Sequence, residues 1–235
     1  MKIAICISGH VRNFEKYSKE FFEKVIDANT HHEIDIFIST WDKNNSISSF
    51  ASLRRGYKDD NDLDVLKMLN IYKPKMYIVE RNNDNIFANF DRIGHSNNPR
   101  YVVPQFYKVN QVGNLLKYYI QSTGTNYDLV MKTRFDLVYE GTEDVDLSNT
   151  NFDLIPKKLK FDDIDVNYFN VEHDYNHYQE WIQDKVFISN PENYFKYIDI
   201  YNNLQHLIDS TGSYTAEQLT FFWLKSQNIP IKKRV

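Results

Sequence analysis

The sequence predicts an α/β fold, a mostly parallel sheet flanked by helices with a mixed C-terminal part. Two observations predict it. Apolar runs of strand length, Ile3–Ile7, Ile34–Ile38, Lys75–Val79 and Leu129–Thr133, recur along the first part of the chain. Such near-continuous runs mark strands buried on both faces. Amphipathic helical segments separate the runs, which makes βαβ units, and these crossovers are right-handed. After Gly141 the alternation lapses and strands and helices mix. A length of 235 residues suits one domain, 1–235, with an elaborated C-terminal part.

The first strand, Ile3–Ile7, ends at Ser8-Gly9. A helix over about Phe14–Ala28 follows, because Phe14, Tyr17, Phe21, Phe22 and Val25 recur at three- and four-residue spacing. The second strand runs into Ser39-Thr40-Trp41-Asp42. The polar stretch Lys43–Asp60 reads as a mobile loop placed to gate a pocket. A short helix is expected near Asp62–Asn70, then the third strand, then a polar, Asn-rich stretch over Asn82–Arg100. Pro104 is placed to open a long helix to Gln121, with Phe106, Val109, Val112, Leu115, Leu116 and Tyr119 inward. Gly124 follows the end of that helix. Phe152–Ile155 and Lys185–Ser189 read as short strands at or near the sheet edge. Pro191 opens a helix over Glu192–Ile208. Thr215–Gln218 is a capping box that opens a helix over Ala216–Ser226. Ile229–Ile231 closes the chain as a strand. There is no internal repeat.

Net charge is −4, and the one basic run is Lys232-Lys233-Arg234, read as a solvated tail. No broad basic surface is implied, so nucleic acid is not an expected partner. The 42% of apolar residues supply a sizeable core. The abundant Tyr and Phe serve packing first, with sugar and base contacts as a second use. The single cysteine, Cys6, forms no intramolecular disulfide and reads as a small core residue in a reducing compartment. No secretory leader pattern opens the chain and no apolar run approaches membrane-spanning length. The expectation is a soluble, cytoplasmic protein (in the host cytoplasm if the source is viral).

Chemistry concentrates in Tyr127–Tyr139, where an apolar strand runs into Lys132, Arg134 and Asp136. An unpaired charge is very costly in a buried strand. Charges gathered at a strand's carboxyl end therefore mark a site, because ligands of open α/β sheets bind at that edge. Two cations beside one carboxylate suit a phosphate-bearing ligand with a divalent metal; a strand end with one surface salt bridge is the alternative. Ser8-Gly9-x-x-Arg12 follows strand one. Its turn frees backbone N–H groups and lets a ligand approach, and Arg12 can meet a phosphate; Gly9 merely turning and Arg12 merely solvated is the alternative. Gln105, Tyr107 and Lys108 lie at a helix N-terminus, where anions are favoured; a Lys108 on the polar face and merely solvated is the alternative. Asp184 directly precedes a strand, either at a pocket floor or as a capping carboxylate. Neither a Gly-x-Gly-x-x-Gly nor a Walker A sequence is present. His173 and His177 have no spacing for a closed zinc site.

Taken together, Ser8-Gly9-x-x-Arg12-x-Phe14, Asp35–Trp41, Gln105–Val109, Tyr127–Asp136, Asp184–Ser189 and Ala216–Leu219 resemble the nucleotide-sugar-dependent glycosyltransferases of the GT-A fold. The likeness is to a group from viruses and bacteria. The segments cover most of the chain in the expected order. The resemblance implies a GT-A-like, Rossmann-like domain, with 1–140 as the nucleotide-sugar-binding half and 141–235 as the acceptor-side half. It implies transfer of a sugar from a UDP- or GDP-sugar to a glycan or other hydroxyl acceptor. GT-A enzymes carry an Asp-x-Asp metal motif where this chain reads Arg134-Phe135-Asp136. Asp136 alone would then bind Mn²⁺ or Mg²⁺, and Arg134 would neutralise phosphate charge itself. By the same resemblance Ser8, Gly9 and Arg12 contact the nucleotide, and Lys108 or Lys132 contacts phosphate. Asp184 acts near the acceptor or anomeric carbon, as base if the reaction inverts. Glu217 is a further candidate, for which capping is a sufficient alternative. Val166–Tyr178 would shape the acceptor pocket. A non-catalytic nucleotide-sugar or carbohydrate-binding protein on the same fold is the alternative. A phosphotransferase needs more clustered carboxylates than Arg134-Phe-Asp136 supplies, and a glycoside hydrolase needs two flanking a sugar bond.

Overall fold

A computed structural model describes residues 1–12, 14–43, 62–81, 99–139, 154–155, 159–171, 182 and 185–233. Strand β1 (Lys2–Ser8) is buried from Ile3 onward and pairs in parallel with β2 (Glu33–Trp41) and β4 (Leu129–Thr133). Strand β3 (Met76–Glu80) lies parallel to β2 on its other side. The order β3-β2-β1-β4 is the parallel half of the expected α/β sheet. Three short strands complete it: β8 (Phe187–Ser189) antiparallel to β4, β7 (Phe169–Val171) antiparallel to β8, and β9 (Ile231–Lys233) parallel to β7. Strands β5 (Val138–Tyr139) and β6 (Leu154–Ile155) pair separately.

The two-residue period of β1 divides its side chains between two cores. Ile3, Ile5 and Ile7 join Phe14, Phe21, Val25, Met68 and Tyr72 on one face. Those aromatic and aliphatic groups come from α1 (Phe14–Phe21), the turns after it, and α2 (Val65–Tyr72). Ala4 and Cys6 join Val103, Phe106, Val109 and Leu116 of α3 (Pro99–Thr123) on the other. That second core continues into α4 (Pro191–Ile198), α5 (Leu204–Thr211) and α6 (Ala216–Ser226). Burial of each β1 isoleucine contributes roughly 1.5–3 kcal/mol. Cys6 is fully enclosed, as expected of a core residue, and burial pushes its thiol up to about 12.

Several elements differ from the sequence reading. The helix expected over Phe14–Ala28 stops at Phe21 and gives way to a π turn, Phe22–Ile26, and a 3-10 turn, Asp27–Asn29. Asn29 is wholly buried, so its amide must be satisfied; it donates to Val25 O at 2.7 Å and Leu159 O at 2.5 Å and accepts from Phe161 N at 2.9 Å. The long helix begins at Pro99 rather than Pro104, which lies inside it. The helix expected over Glu192–Ile208 is divided by a 3-10 stretch, Asp199–Asn203. There Asn203 Nδ2 donates to Asp199 O at 3.0 Å and Asn202 Nδ2 to Asp199 Oδ1 at 2.7 Å. Such local side-chain bonds compete with a continuing helix. The Thr215 cap is as expected, accepting from Gln218 N at 3.3 Å. Strand β8 sits inside the sheet, between β4 and β7, not at its edge. Leu154–Ile155 belongs to the separate pair. Within Val166–Tyr178, Phe169–Val171 is the sheet strand β7. The loop residues 44–60, the stretch 82–98, residues 172–178 and Asp184 lie outside the described residues.

Candidate functional site

The strand order sets where a ligand can sit. From β1 the chain moves outward through β2 and β3, then returns to place β4 on the other side of β1. Connections therefore leave the carboxyl ends of β1 and β4 in opposite directions. Such a switch point leaves a crevice, and ligands of open α/β sheets bind there. Ser8-Gly9-His10-Val11-Arg12 leaves β1 at this edge and Arg134-Phe135-Asp136 leaves β4 beside it.

These two turns meet. The Asp136 carboxylate accepts from Arg134 Nε at 3.0 Å (Oδ1) and Arg134 Nη2 at 2.9 Å (Oδ2), a bidentate pair, and Arg12 Nη1 also donates to Oδ2. Charge-assisted bonds of this planar kind are among the strongest in proteins. Asp136 is buried, so the ion pair is shielded from water. Arg12 adopts φ +42, the left-handed region that L residues avoid. Held strain of that sort recurs at functional sites. Gly9 has φ +105, and a Cβ built on it would meet no heavy atom of the described residues within 4 Å. Such room is what close approach by a ligand requires. Strand β2 fixes the turn: Gly9 N donates to Ser39 O at 3.1 Å and Thr40 Oγ1 donates to Gly9 O at 2.7 Å.

A second polar cluster lies on the α3 side of the same edge. Lys108 has no exposed surface; its ammonium donates to Glu80 Oε2 at 2.8 Å and Gln111 Oε1 at 2.9 Å and stands 3.8 Å over the Trp41 ring. Tyr107 stacks on Trp41 and donates to Glu80 Oε1 at 3.0 Å. Burial lowers the Lys108 ammonium to about 8, outweighing the carboxylate beside it. Burial alone raises Glu80, but the bonds from Lys108, Gln111 and Tyr107 hold it below its ordinary value. His10 joins the two clusters. Burial, followed by the charge of Arg12 and then those of Lys108 and Arg134, lowers its imidazole to about 3, so it is neutral at physiological pH.

Asp184, His173 and His177 lie outside the described residues; the other residues singled out in the sequence fall as follows. Ser8, Gly9, Arg12, Arg134 and Asp136 share the carboxyl edge, and Arg12, Arg134 and Asp136 touch. Lys108 sits in the adjoining cluster. Lys132 is enclosed; its ammonium donates to Lys185 O at 3.3 Å and lies 5.1 Å from the centre of the Phe187 ring. This contact holds the entry to β8 against β4. Phe187 pairs with Lys132, so the chain enters β8 from the edge that carries Arg134. Asp35, at the start of β2, lies toward the opposite end of that strand; it accepts from Tyr127 OH at 2.7 Å and has Lys75 at 3.4 Å. Glu217 lies in the first turn of α6, beyond the Thr215 cap.

The sequence reading missed His10, Trp41, Glu80 and Gln111. Glu80 ends β3, so the rule that singled out Asp136 at the end of β4 applies to it; Trp41 ends β2 but carries no charge, so that rule does not reach it. Gln111 is one helical turn beyond Lys108, a spacing at which side chains meet.

The donors bear on a metal. Both oxygens of Asp136 already accept from guanidinium groups, whereas Mg²⁺ and Mn²⁺ take oxygen ligands. Among the described residues, the one group of three or more His, Cys, Asp or Glu placed to hold an ion is His31, His32 and Asp162, which is not at this edge. Also among the described residues, no helix is long and apolar enough to cross a membrane.

No protein-family model matches the chain, and no curated protein does. Among solved structures it is similar to one described as a glycosyltransferase involved in the glycosylation of the major capsid of PBCV-1. The identity is 12% and the TM-score 0.39, over all of this chain and 81% of the other. A likeness of that size settles neither family nor activity.

Proposed function

We propose that the chain is a glycosyltransferase that moves a sugar from a nucleoside-diphosphate sugar, UDP- or GDP-linked, to an acceptor hydroxyl. One observation carries the reading: two arginines from adjacent turns are fixed by one buried carboxylate at the sheet's switch point. In the reaction the bond from the anomeric carbon to the β-phosphate oxygen breaks and a bond to the acceptor oxygen forms. The departing diphosphate gathers negative charge, and Arg12 and Arg134 are the groups that stabilise it. Asp136 orients both guanidiniums beforehand, so no reorganisation is needed as charge develops. Ser8 and the Gly9 backbone line the nucleotide, and Lys108 with Trp41 borders the donor. The acceptor proton goes to a carboxylate. Asp184 is assigned that role, by the family resemblance, for an inverting reaction.

Mn²⁺ or Mg²⁺ at Asp136 carries a condition. An ion there would share the carboxylate with two guanidiniums, which already supply the charge of one divalent ion. The arginines therefore carry the charge stabilisation in this proposal. The fixed carboxylate also favours a second reading, a binding protein without turnover.

Calorimetry with UDP- and GDP-sugars, with and without Mn²⁺, tests the proposal on the intact protein and on Arg134→Gln. The expected result is binding that Arg134→Gln weakens at least about tenfold, the loss of one strong charged contact. No binding of any sugar nucleotide at millimolar concentration, or equal binding by the variant, overturns it. Transfer to an acceptor, or slow hydrolysis of the donor, separates the enzyme from the binding protein.

A further inference from the structure

We propose that His31, His32 and Asp162 form a binding site for a zinc-class divalent ion, at the edge of the sheet opposite the candidate active site. The two histidines occupy the turn that enters β2 at its amino end. Asp162 comes from a 3-10 turn, Phe161–Asp163, far along the chain. The Asn29 amide and the bond from Leu159 N to Lys24 O at 3.2 Å dock that turn against the histidines. The three ligand atoms lie within 4.8 Å of one another.

The His32–Asp162 spacing is that of two ligands around an ion, while His31 and Asp162 stand at hydrogen-bond distance. Ligands 2.0–2.1 Å from a tetrahedral ion stand about 3.3–3.4 Å apart. His32 Nε2 lies 3.2 Å from Asp162 Oδ1. That nitrogen is buried and makes no aligned hydrogen bond, although the carboxylate is near. The His32 side chain is only 4% exposed, so its nitrogen is not hydrated instead. His31 Nε2 meets the other oxygen, Oδ2, at 2.6 Å, and the two imidazole centres are 4.0 Å apart. His31 and Asp162 are 58% and 53% exposed, which opens the third side to an entering ion and its water. Two imidazoles with one carboxylate suit Zn²⁺, Co²⁺ or Ni²⁺, whereas Mg²⁺ and Ca²⁺ prefer all-oxygen sites. On binding, the ion takes the place of the His31–Asp162 hydrogen bond, and the neutral imidazole ligates through Nε2 with its one proton carried on Nδ1. The bound ion ties the 159–163 segment to the start of β2, so it stabilises the fold. The site stands independently of the proposed sugar transfer.

Untagged full-length protein, treated with chelator and dialysed, is titrated with Zn²⁺ by calorimetry and with Co²⁺ by visible absorption. The expected result is one equivalent bound. Zn²⁺ at about 100 times its Kd raises Tm by roughly 5–10 °C. His31→Ala and Asp162→Asn, both at exposed positions, fold normally and lose at least tenfold in affinity, while Asp136→Asn keeps it. Absence of saturable binding up to about 1 mM, or equal affinity in His31→Ala and Asp162→Asn, overturns the proposal.

Discussion

Replacing Asp136 by Asn removes the charge that two guanidiniums share while keeping the side chain's volume. Asp136 is 1% exposed, Arg12 10% and Arg134 19%, so water does little to replace the lost carboxylate. Deleting one partner of a buried ion pair costs about 3–5 kcal/mol, because the surviving charge is left uncompensated. The partial exposure of both arginines places the cost near the lower limit, about 3 kcal/mol. In a domain of this size each kcal/mol moves Tm by about 2–4 °C, so Asp136→Asn lowers Tm by roughly 6–12 °C. Scanning calorimetry at pH 7 measures this directly. Pyrophosphate then serves as a second readout. The variant leaves the two guanidinium charges uncompensated, so pyrophosphate raises Tm more in Asp136→Asn than in the unaltered protein. A Tm drop below about 2 °C refutes the reasoning, because the carboxylate would then not be holding the arginines. Stabilisation of the unaltered protein by pyrophosphate only with Mn²⁺ would equally assign Asp136 to a metal.

Arg12→Gly and Arg12→Ala both lose the Asp136 bond, but only Gly relieves φ +42. The Gly variant is therefore more stable than the Ala variant by about 1 kcal/mol in urea unfolding, and equal stabilities contradict the strain. Lys108 titrates near 8 when folded, against 10.5 ordinarily, because it is buried. Between those values the unfolded chain holds the extra proton, so Lys108's contribution to stability rises with pH from about 8 to 10.5. Lys108→Met removes that rise, together with the pH-dependent part of Trp41 fluorescence near 8; an unchanged pH profile refutes the assignment. Gly113→Ala puts a Cβ 2.5 Å from Ile198 Cδ1 and 2.8 Å from Cγ2, where α3 meets α4. The expected cost is about 1–3 kcal/mol, partly recovered by Ile198→Val, and no loss in chemical denaturation would mean the helices are not so close.

The parallel half of the sheet was legible because its signal is local. Ile3–Ile7, Ile34–Ile38 and Leu129–Thr133 are apolar runs that no amphipathic surface helix tolerates, and the three bracket the switch point. Placing Asp136 at a strand's carboxyl end needed only its position after Leu129–Thr133. The antiparallel half was harder to read. Strands β7, β8 and β9 are three residues each, too short to show a period, and β8 is interior only because β7 covers it. The division at Asp199 depends on Asn202 and Asn203 turning back on it, which helix periodicity does not register. Asn29 depends on partners about 130 residues away, so neither the end of α1 nor the His31–Asp162 meeting was visible locally.

The site's charge follows from what stands where a second aspartate is expected. Two carboxylates with one divalent ion sum to zero. Asp136 with Arg12 and Arg134 sums to +1, and the neighbouring Glu80 and Lys108 cancel while both are ionised. Under the proposed function, a diphosphate at this edge would meet two guanidiniums already fixed in place. Such a site depends on geometry: each guanidinium must stay aimed while water is displaced. The features that seem costly taken singly serve this aim. The left-handed backbone at Arg12, the buried Asp136 and the Gly9 turn pinned to Ser39 and Thr40 all restrict where the two guanidiniums can point. Strain and burial at this edge are thus the local cost of holding two positive charges where a phosphate would meet them.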